Sequence, residues 1–299
     1  MGARGRRKEQ RNAGTGIRET WAVLYVFGAI LIGFVAAVLA GMFGIGGAGI
    51  TTPAIRVFLD APPAIALGTT LPVTIPTAAS GALTYLRRGL VDRRVAGFCC
   101  LSGLAGAVGG ALLTEVIDLH YLMLLTGAVV LYTAGVTIRR GLTGRGAEPD
   151  PEAALPSEHP GAPLSVETEP VVEEPHPALL LLGIGLVAGL FSGLLGVGGG
   201  IVLIPSFLYI LHMPLKKTFG TSLSVITVIA IPGTIVHAFL HHISWSLVLY
   251  LVIGSIPGAY LGARFSIRTG ERSLYLLFGL LLAVFGVVFI VNEIISMVH

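Results

Sequence analysis

The sequence predicts an all-α polytopic membrane protein made of two inverted repeats of about five transmembrane segments each, with a short or broken second segment in each repeat. Three observations predict it. Of 299 residues, 54% are hydrophobic and 12% charged, with a mean hydropathy of +0.86, whereas soluble domains carry about a quarter charged residues. Eight apolar runs approach or exceed the length that crosses a bilayer as helix, about 20 residues; the alternating segments of about ten residues that mark a membrane barrel are lacking. Finally, the chain repeats itself at a fixed offset of 152 (Gly196 against Gly44).

Residues 1–19 form a basic tail holding Arg4, Arg6, Arg7, Lys8 and Arg11. The run 21–43 that follows mimics a secretory signal, with Ala37-Val38-Leu39-Ala40 as a cleavage site, but its counterpart in the second half marks it as a retained helix. The first repeat, 20–140, reads as segments at about 21–43, 48–60, 65–87, 94–114 and 120–140. Residues 141–177 are an acidic, proline-rich linker. From Gly146 to Pro177 lie eight of the sixteen acidic residues and eight of the seventeen prolines, with no Lys or Arg. One-sided charge, low hydrophobicity and frequent proline cannot support a packed core. The second repeat, 178–299, reads as segments at about 178–195, 200–212, 218–241, 245–265 and 273–295. Segments 48–60 and 200–212 are too short for ordinary spans.

The repeats align without a gap. Gly33, Gly41, Gly44, Gly46 and Gly47 recur as Gly185, Gly193, Gly196, Gly198 and Gly199, Pro53 as Pro205, and Gly68-Thr69 as Gly220-Thr221. Charge gives their orientation. The stretch 87–94 holds four arginines, while its match 239–246 holds only two histidines; acidic 115–118 matches part of a stretch carrying Arg264, Arg268 and Arg272. Asp60 lies opposite the region of Lys216 and Lys217. Because Lys and Arg collect on the cytoplasmic side, the repeats are expected to run in opposite directions, a recurring construction of secondary transporters. That places the linker in the cytoplasm. Ten crossings then leave the basic tail outside, against the same rule; a re-entrant 48–60 puts it inside and makes nine.

The glycine clusters interrupt apolar helix at matching points, the sequence pointer to a transporter's site. Irregular backbone at membrane depth must line a cavity or be buried in protein, and free N–H groups where a helix restarts favour an anion. Gly46, Gly47, Ala48, Gly198, Gly199 and Gly200 are therefore expected to bind substrate, with Thr51 beside the first break. Glycines packing helix on helix is the competing reading, and it is preferred for Gly106, Gly110, Gly258 and Gly262. Thr69, Thr70, Thr221 and Ser222 either bind an oxyanion or bond back to their own helix. Arg56 is a charge candidate that could equally pair with Asp60 four residues on, and His237 is a proton candidate that reads as well as an interface residue. Adjacent Cys99 and Cys100 read as packing. No metal-ligand set, cofactor motif, nucleophile–base pair or nucleic-acid patch stands in the chain, so no enzyme activity, metal or cofactor is expected. Gly44, Gly46 and Gly49 spell GxGxxG without the strand–helix context that a nucleotide needs.

The clusters Gly44-Ile45-Gly46-Gly47 and Gly196-Val197-Gly198-Gly199-Gly200, each followed by a proline, together with the Gly-Thr-Thr and Gly-Thr-Ser repeats, resemble the TauE/SafE family of membrane transporters over about 20–140 and 178–295. The resemblance implies an inner-membrane permease for a small anion, such as sulfite, sulfoacetate or a related organosulfur anion, usually moved outward. An importer or passive channel on the same scaffold is the alternative. Ala48 stands where Gly200 completes the second cluster, which puts equal roles for the breaks in doubt. The expected partners are the anion, the bilayer and a coupling ion, proton or sodium.

Overall fold

The computed structural model describes residues 24–59, 61–113, 119–143, 176–195 and 198–298. The basic tail, Asp60, the acidic stretch 115–118, residues 144–175 and the side chains of Arg56 and Glu293 lie outside that description. The described regular elements are all helical: α1 (Leu24–Phe43), α2 (Ala48–Phe58), α3 (Pro63–Leu86), α4 (Arg93–Leu113), α5 (Leu119–Thr143), α6 (Ala178–Leu195), α7 (Gly200–Pro205, continued by a π-helical turn Ser206–Ile210), α8 (Leu215–Phe239), α9 (Trp245–Arg268) and α10 (Glu271–Val298). Five of them are long and apolar enough to cross a membrane. The chain forms two compact units, one containing α1–α4 and α6–α9, the other α5 and α10.

Matching sequence builds matching backbone. Pro62 and Pro214 hold φ at −55° with extended ψ and launch α3 and α8, as the fixed φ of proline before a helix allows. Both helices end on the same turn. The N–H of Leu90 donates to the Tyr85 carbonyl and that of His242 to the His237 carbonyl, each at 3.0 Å. This six-to-one closure puts the preceding residue in the left-handed region: Gly89 has φ +69° and His241 φ +57°. The second copy keeps the turn without a glycine.

Each copy lends its fourth helix to the other. Gly33 lies against the Leu251 carbonyl, and Gly185 against that of Cys99; Gly41 meets Ala259, and Gly193 meets Ala107. Gly106 meets Leu186 and Gly258 meets Phe34; Gly110 meets Leu190 and Gly262 meets Val38. Every pair is its mate shifted by 152 in both members, a reciprocity that an approximate two-fold relation produces. At these seams a Cβ would strike a backbone carbonyl. In lipid, helices gain little from hydrophobic burial, so close backbone approach through small residues supplies the attraction. The glycines read from sequence as packing residues, 106, 110, 258 and 262, all lie in these seams.

The contacts also give direction. Residues 33 and 41 of α1 meet 251 and 259 of α9, so these helices are parallel; α6 and α4 are parallel likewise. Gly81 of α3 meets Leu223 of α8, and Gly233 of α8 meets Leu71 of α3, so the matched helices α3 and α8 run antiparallel. Since α8 turns tightly back into α9, helices α1 and α3 point the same way. The short segment between them must bring the chain back, and α7 with its π-helical turn does the same between α6 and α8.

In the second unit the fifth helices pair: Gly141 faces Leu276, Gly279 faces Ile138 and Gly286 faces Leu131, so α5 and α10 are also antiparallel.

Candidate functional site

Both glycine clusters do break the helical run. Gly44 closes the last turn of α1, its N–H donating to Ala40 at 2.9 Å, and Gly44 and Gly46 both have φ +71°. Helix α2 then restarts, with the N–H groups of Ile50 and Thr51 on the Gly47 carbonyl at 3.2 and 3.0 Å. In the second copy Gly198 and Gly199 have φ +83° and +74°, and Val202 and Leu203 donate to the Gly199 carbonyl at 3.1 and 3.0 Å. The opening N–H groups of a helix precede its first internal bond and have no partner in the helix itself. Residues Gly46, Gly47, Ala48, Gly198, Gly199 and Gly200 are all buried.

The breaks converge. A Cβ on Gly46 would meet Ile226 at 3.0 Å and Thr74 at 3.6 Å, and one on Gly198 would meet the same two side chains, each at 3.4 Å. Thr74 and Ile226 are matched residues near the midpoints of α3 and α8. One step along, Gly47 faces Thr77 and Gly199 faces Ile229, another matched pair. Gly200 packs on the Ile45 backbone of the opposite break. Sequence reasoning missed Thr74, Thr77, Ile226 and Ile229. Their signal was their place at the centre of the third segment of each copy, which means nothing until α3 and α8 are known to cross there.

The hydroxyls are engaged within the protein. Thr51 donates to the Gly47 carbonyl at 2.8 Å, Thr70 to that of Leu67 at 3.0 Å, and Ser222 reaches the first break by donating to Gly44 at 2.9 Å. Thr52 and Thr70 hydroxyls share a hydrogen bond of 3.0 Å. Thr69 and Thr221, both fully buried, form a reciprocal pair. The Ser244 N–H donates to Thr69 Oγ1 at 3.0 Å, and the Asp92 N–H donates to Thr221 Oγ1 at 2.9 Å; Ser244 is Asp92 shifted by 152. Each threonine thus ties the third helix of one copy to the loop before the fourth helix of the other.

Asp92 is the one carboxylate among the described residues of α1–α4 and α6–α9 with their loops. It lies at an end, accepts from the Arg94 and Val95 N–H groups at 3.0 Å, and pairs with Lys217 at 3.3 Å. Burial by itself would raise its pKa; the Val95 and Arg94 amides and the Lys217 ammonium outweigh burial and hold the carboxyl below its ordinary range. His237 is buried near the end of α8 and faces the backbone of Gly193 in the last turn of α6. Its match, Tyr85, donates toward the Gly41 and Met42 carbonyls of α1, each 3.2 Å away. Cys99 is buried, and its thiol donates to the Leu181 carbonyl at 3.3 Å.

Comparison with known proteins agrees in class. The family model for the sulfite exporter TauE/SafE matches residues 29–289. The probable membrane transporter protein YunE of Bacillus subtilis is 24% identical over 268 residues, covering 86% of this chain and 94% of its own. YdhB of the same organism, also named a probable membrane transporter protein, is 27% identical over 244 residues, covering 79% of this chain and 89% of its own. A probable membrane transporter protein of Xylella fastidiosa is 24% identical over 258 residues, with 84% and 88% covered. No solved structure matches.

Proposed function

The chain belongs to the sulfite exporter TauE/SafE family of membrane transporters, and on that premise we propose that it is a secondary permease carrying a small sulfur oxyanion or organosulfonate, such as sulfite or sulfoacetate, out across the inner membrane. The observation that carries the proposal is the meeting of Gly46 and Gly198 on the shared pair Thr74 and Ile226. Two restarting helices there bring amide donors to one buried place, and such donors suit an anion.

The antiparallel course of α3 against α8 and of α5 against α10 supports repeats inverted across the bilayer. The return of the chain through α2 and through α7 supports an odd number of passes per copy. Helix α2, with eleven residues, reaches about 16 Å, roughly half of a 30 Å hydrocarbon core, so it starts near the midplane. With the arginines of the 87–94 loop inside, the linker faces the cytoplasm. The hydroxyls of Ser222 and Thr51 hold the first break in shape; the amides of 46–48 and 198–200 contact the anion. Among Thr69, Thr70 and Thr221, the part played is to fasten the third helices around the site.

Flux of sulfite, sulfoacetate and taurine into proteoliposomes tests the proposal. Saturable flux of at least one of them is expected. Its absence for all three in correctly folded, oriented protein overturns the substrate class, and flux that neither saturates nor responds to a gradient of another ion favours a channel.

A further inference from the structure

We infer that His237 and His242 form a proton-binding site that couples proton movement to the anion through the second glycine break. The inference rests on the permease reading above but stands on other residues than the breaks themselves. Among the described residues, four buried side-chain polar atoms have no hydrogen-bond partner, and two of them are the Nδ1 atoms of these histidines. The rings are 5.7 Å apart, centroid to centroid. An orphaned buried nitrogen costs about 1–3 kcal/mol, and such groups in a native fold call for an explanation. The matched residue of the first copy, Tyr85, makes the contact that corresponds to His237 on Gly193, its hydroxyl donating toward the Gly41 and Met42 carbonyls, and it has no second ring nitrogen left over.

Burial opposes a positive charge on His237, and one neighbour favours it. His237 is only 4% exposed and faces Gly193, in the final turn of α6, where outward-pointing carbonyls form the negative end of the helix and favour a positive charge. Five residues further stands Gly198 of the break. His242 lies in the turn between α8 and α9, beside Gly68 at the start of α3, and is less buried than His237. A proton taken up on the His242 ring reaches Nδ1 of His237 through an intervening water as His242 returns to neutral, and it leaves His237 when the anion departs from the second break. Two adjacent imidazolium ions repel, so the pair carries one proton at a time. Histidine is the residue type that titrates between pH 5 and 8.

Little else competes for that proton. The described parts of α6, of the first half of α3 and of the end of α4 contain no ionisable side chain. The nearby turn adds His241, and α9 brings Tyr250. Arg56 and Asp60 belong to the end of α2 and the turn after it, and their side chains are outside the described residues.

The test uses full-length protein in liposomes loaded with a pH-sensitive dye, with sulfoacetate and sulfite as probes in separate arms. Wild type is expected to move protons with the anion. His237→Tyr, which installs the residue of the first copy, is expected to abolish the proton signal, and His242→Gln to slow it several-fold. Proton movement per anion unchanged in His237→Tyr overturns the inference, as does an anion flux in wild type without protons. A second readout needs no substrate. In a Trp21→Phe background, fluorescence of Trp245, three residues from His242, is expected to change on acidification and to lose that change in both variants. A fluorescence change that persists in both variants also overturns the inference. Wild type that moves no anion yet shows the histidine-dependent fluorescence change refutes the permease reading alone.

Discussion

The two copies of the repeat differ most at the points where they match best. In the first, the residue capping the restarted helix is Gly47 in right-handed conformation, φ −63°, with its nearest neighbour, Thr77, 3.4 Å from a Cβ. In the second it is Gly199 at φ +74°, and a Cβ would come within 2.8 Å of the Ala188 carbonyl. One cap has room and the other has none. The ends differ too. The Thr221–Asp92 tie carries an ion pair to Lys217, whereas the Thr69–Ser244 tie carries no charge and stands beside histidines. One fold used twice thus yields a crowded left-handed cap in the second copy, an open right-handed cap in the first, and two ties of which one carries an ion pair.

The largest effect is expected at the caps. Gly199→Val combines left-handed strain of about 1–2 kcal/mol with a backbone clash, and should abolish transport and lower the thermal midpoint. Gly47→Ala should cost under about 1 kcal/mol and keep transport. Equal losses from the two in flux and thermal-shift assays would erase the contrast. Next come the helix seams. Gly110→Leu or Gly262→Leu should each separate a helix pair and lower stability by about 1–3 kcal/mol, with similar values because the contacts are reciprocal; a large difference, measured by unfolding in detergent, would break the two-fold relation.

A smaller effect is expected at the ties. Thr221→Val and Thr69→Val each remove the acceptor of a part-buried N–H and should cost about 1–2 kcal/mol. Asp92→Asn keeps the backbone tie but loses the ion pair, which at its partial exposure contributes up to about 1 kcal/mol. The smallest effect is its pH dependence. Because the folded protein holds the Asp92 carboxyl below its ordinary pKa, this stability is present above the unfolded value and fades as pH falls through the folded one. The difference in thermal midpoint between wild type and Asp92→Asn should therefore be constant near pH 6 and shrink below about pH 4. A difference that grows on acidification would contradict the assigned partners.

Much of this was legible in the sequence. The composition, the offset of 152 and the glycine clusters are local or self-comparing signals, and they led to helical spans, a duplicated unit and breaks within the clusters 44–49 and 196–200. The turn residues Pro62 and Pro214 carried their conformation in their own covalent structure. Gly106, Gly110, Gly258 and Gly262 could be read as packing residues because a four-residue spacing on a helix presents one face.

Partners, in contrast, were not legible. Thr69 and Thr221 could be read only as binding an oxyanion or bonding back to their own helix, because no local rule says that the loop of the other copy arrives to use their oxygens. Thr74 and Ile226 looked like ordinary helix interior until α3 and α8 crossed at them. His237 acquired an unsatisfied neighbour from the turn that follows its helix. By itself the sequence determined which segments are helical, where they break and that they come in two copies, since backbone conformation and hydropathy are properties of short stretches. Which breaks face each other, which hydroxyls are already occupied and which end is held by charge were decided only by tertiary structure, because those depend on contacts between residues more than a hundred positions apart.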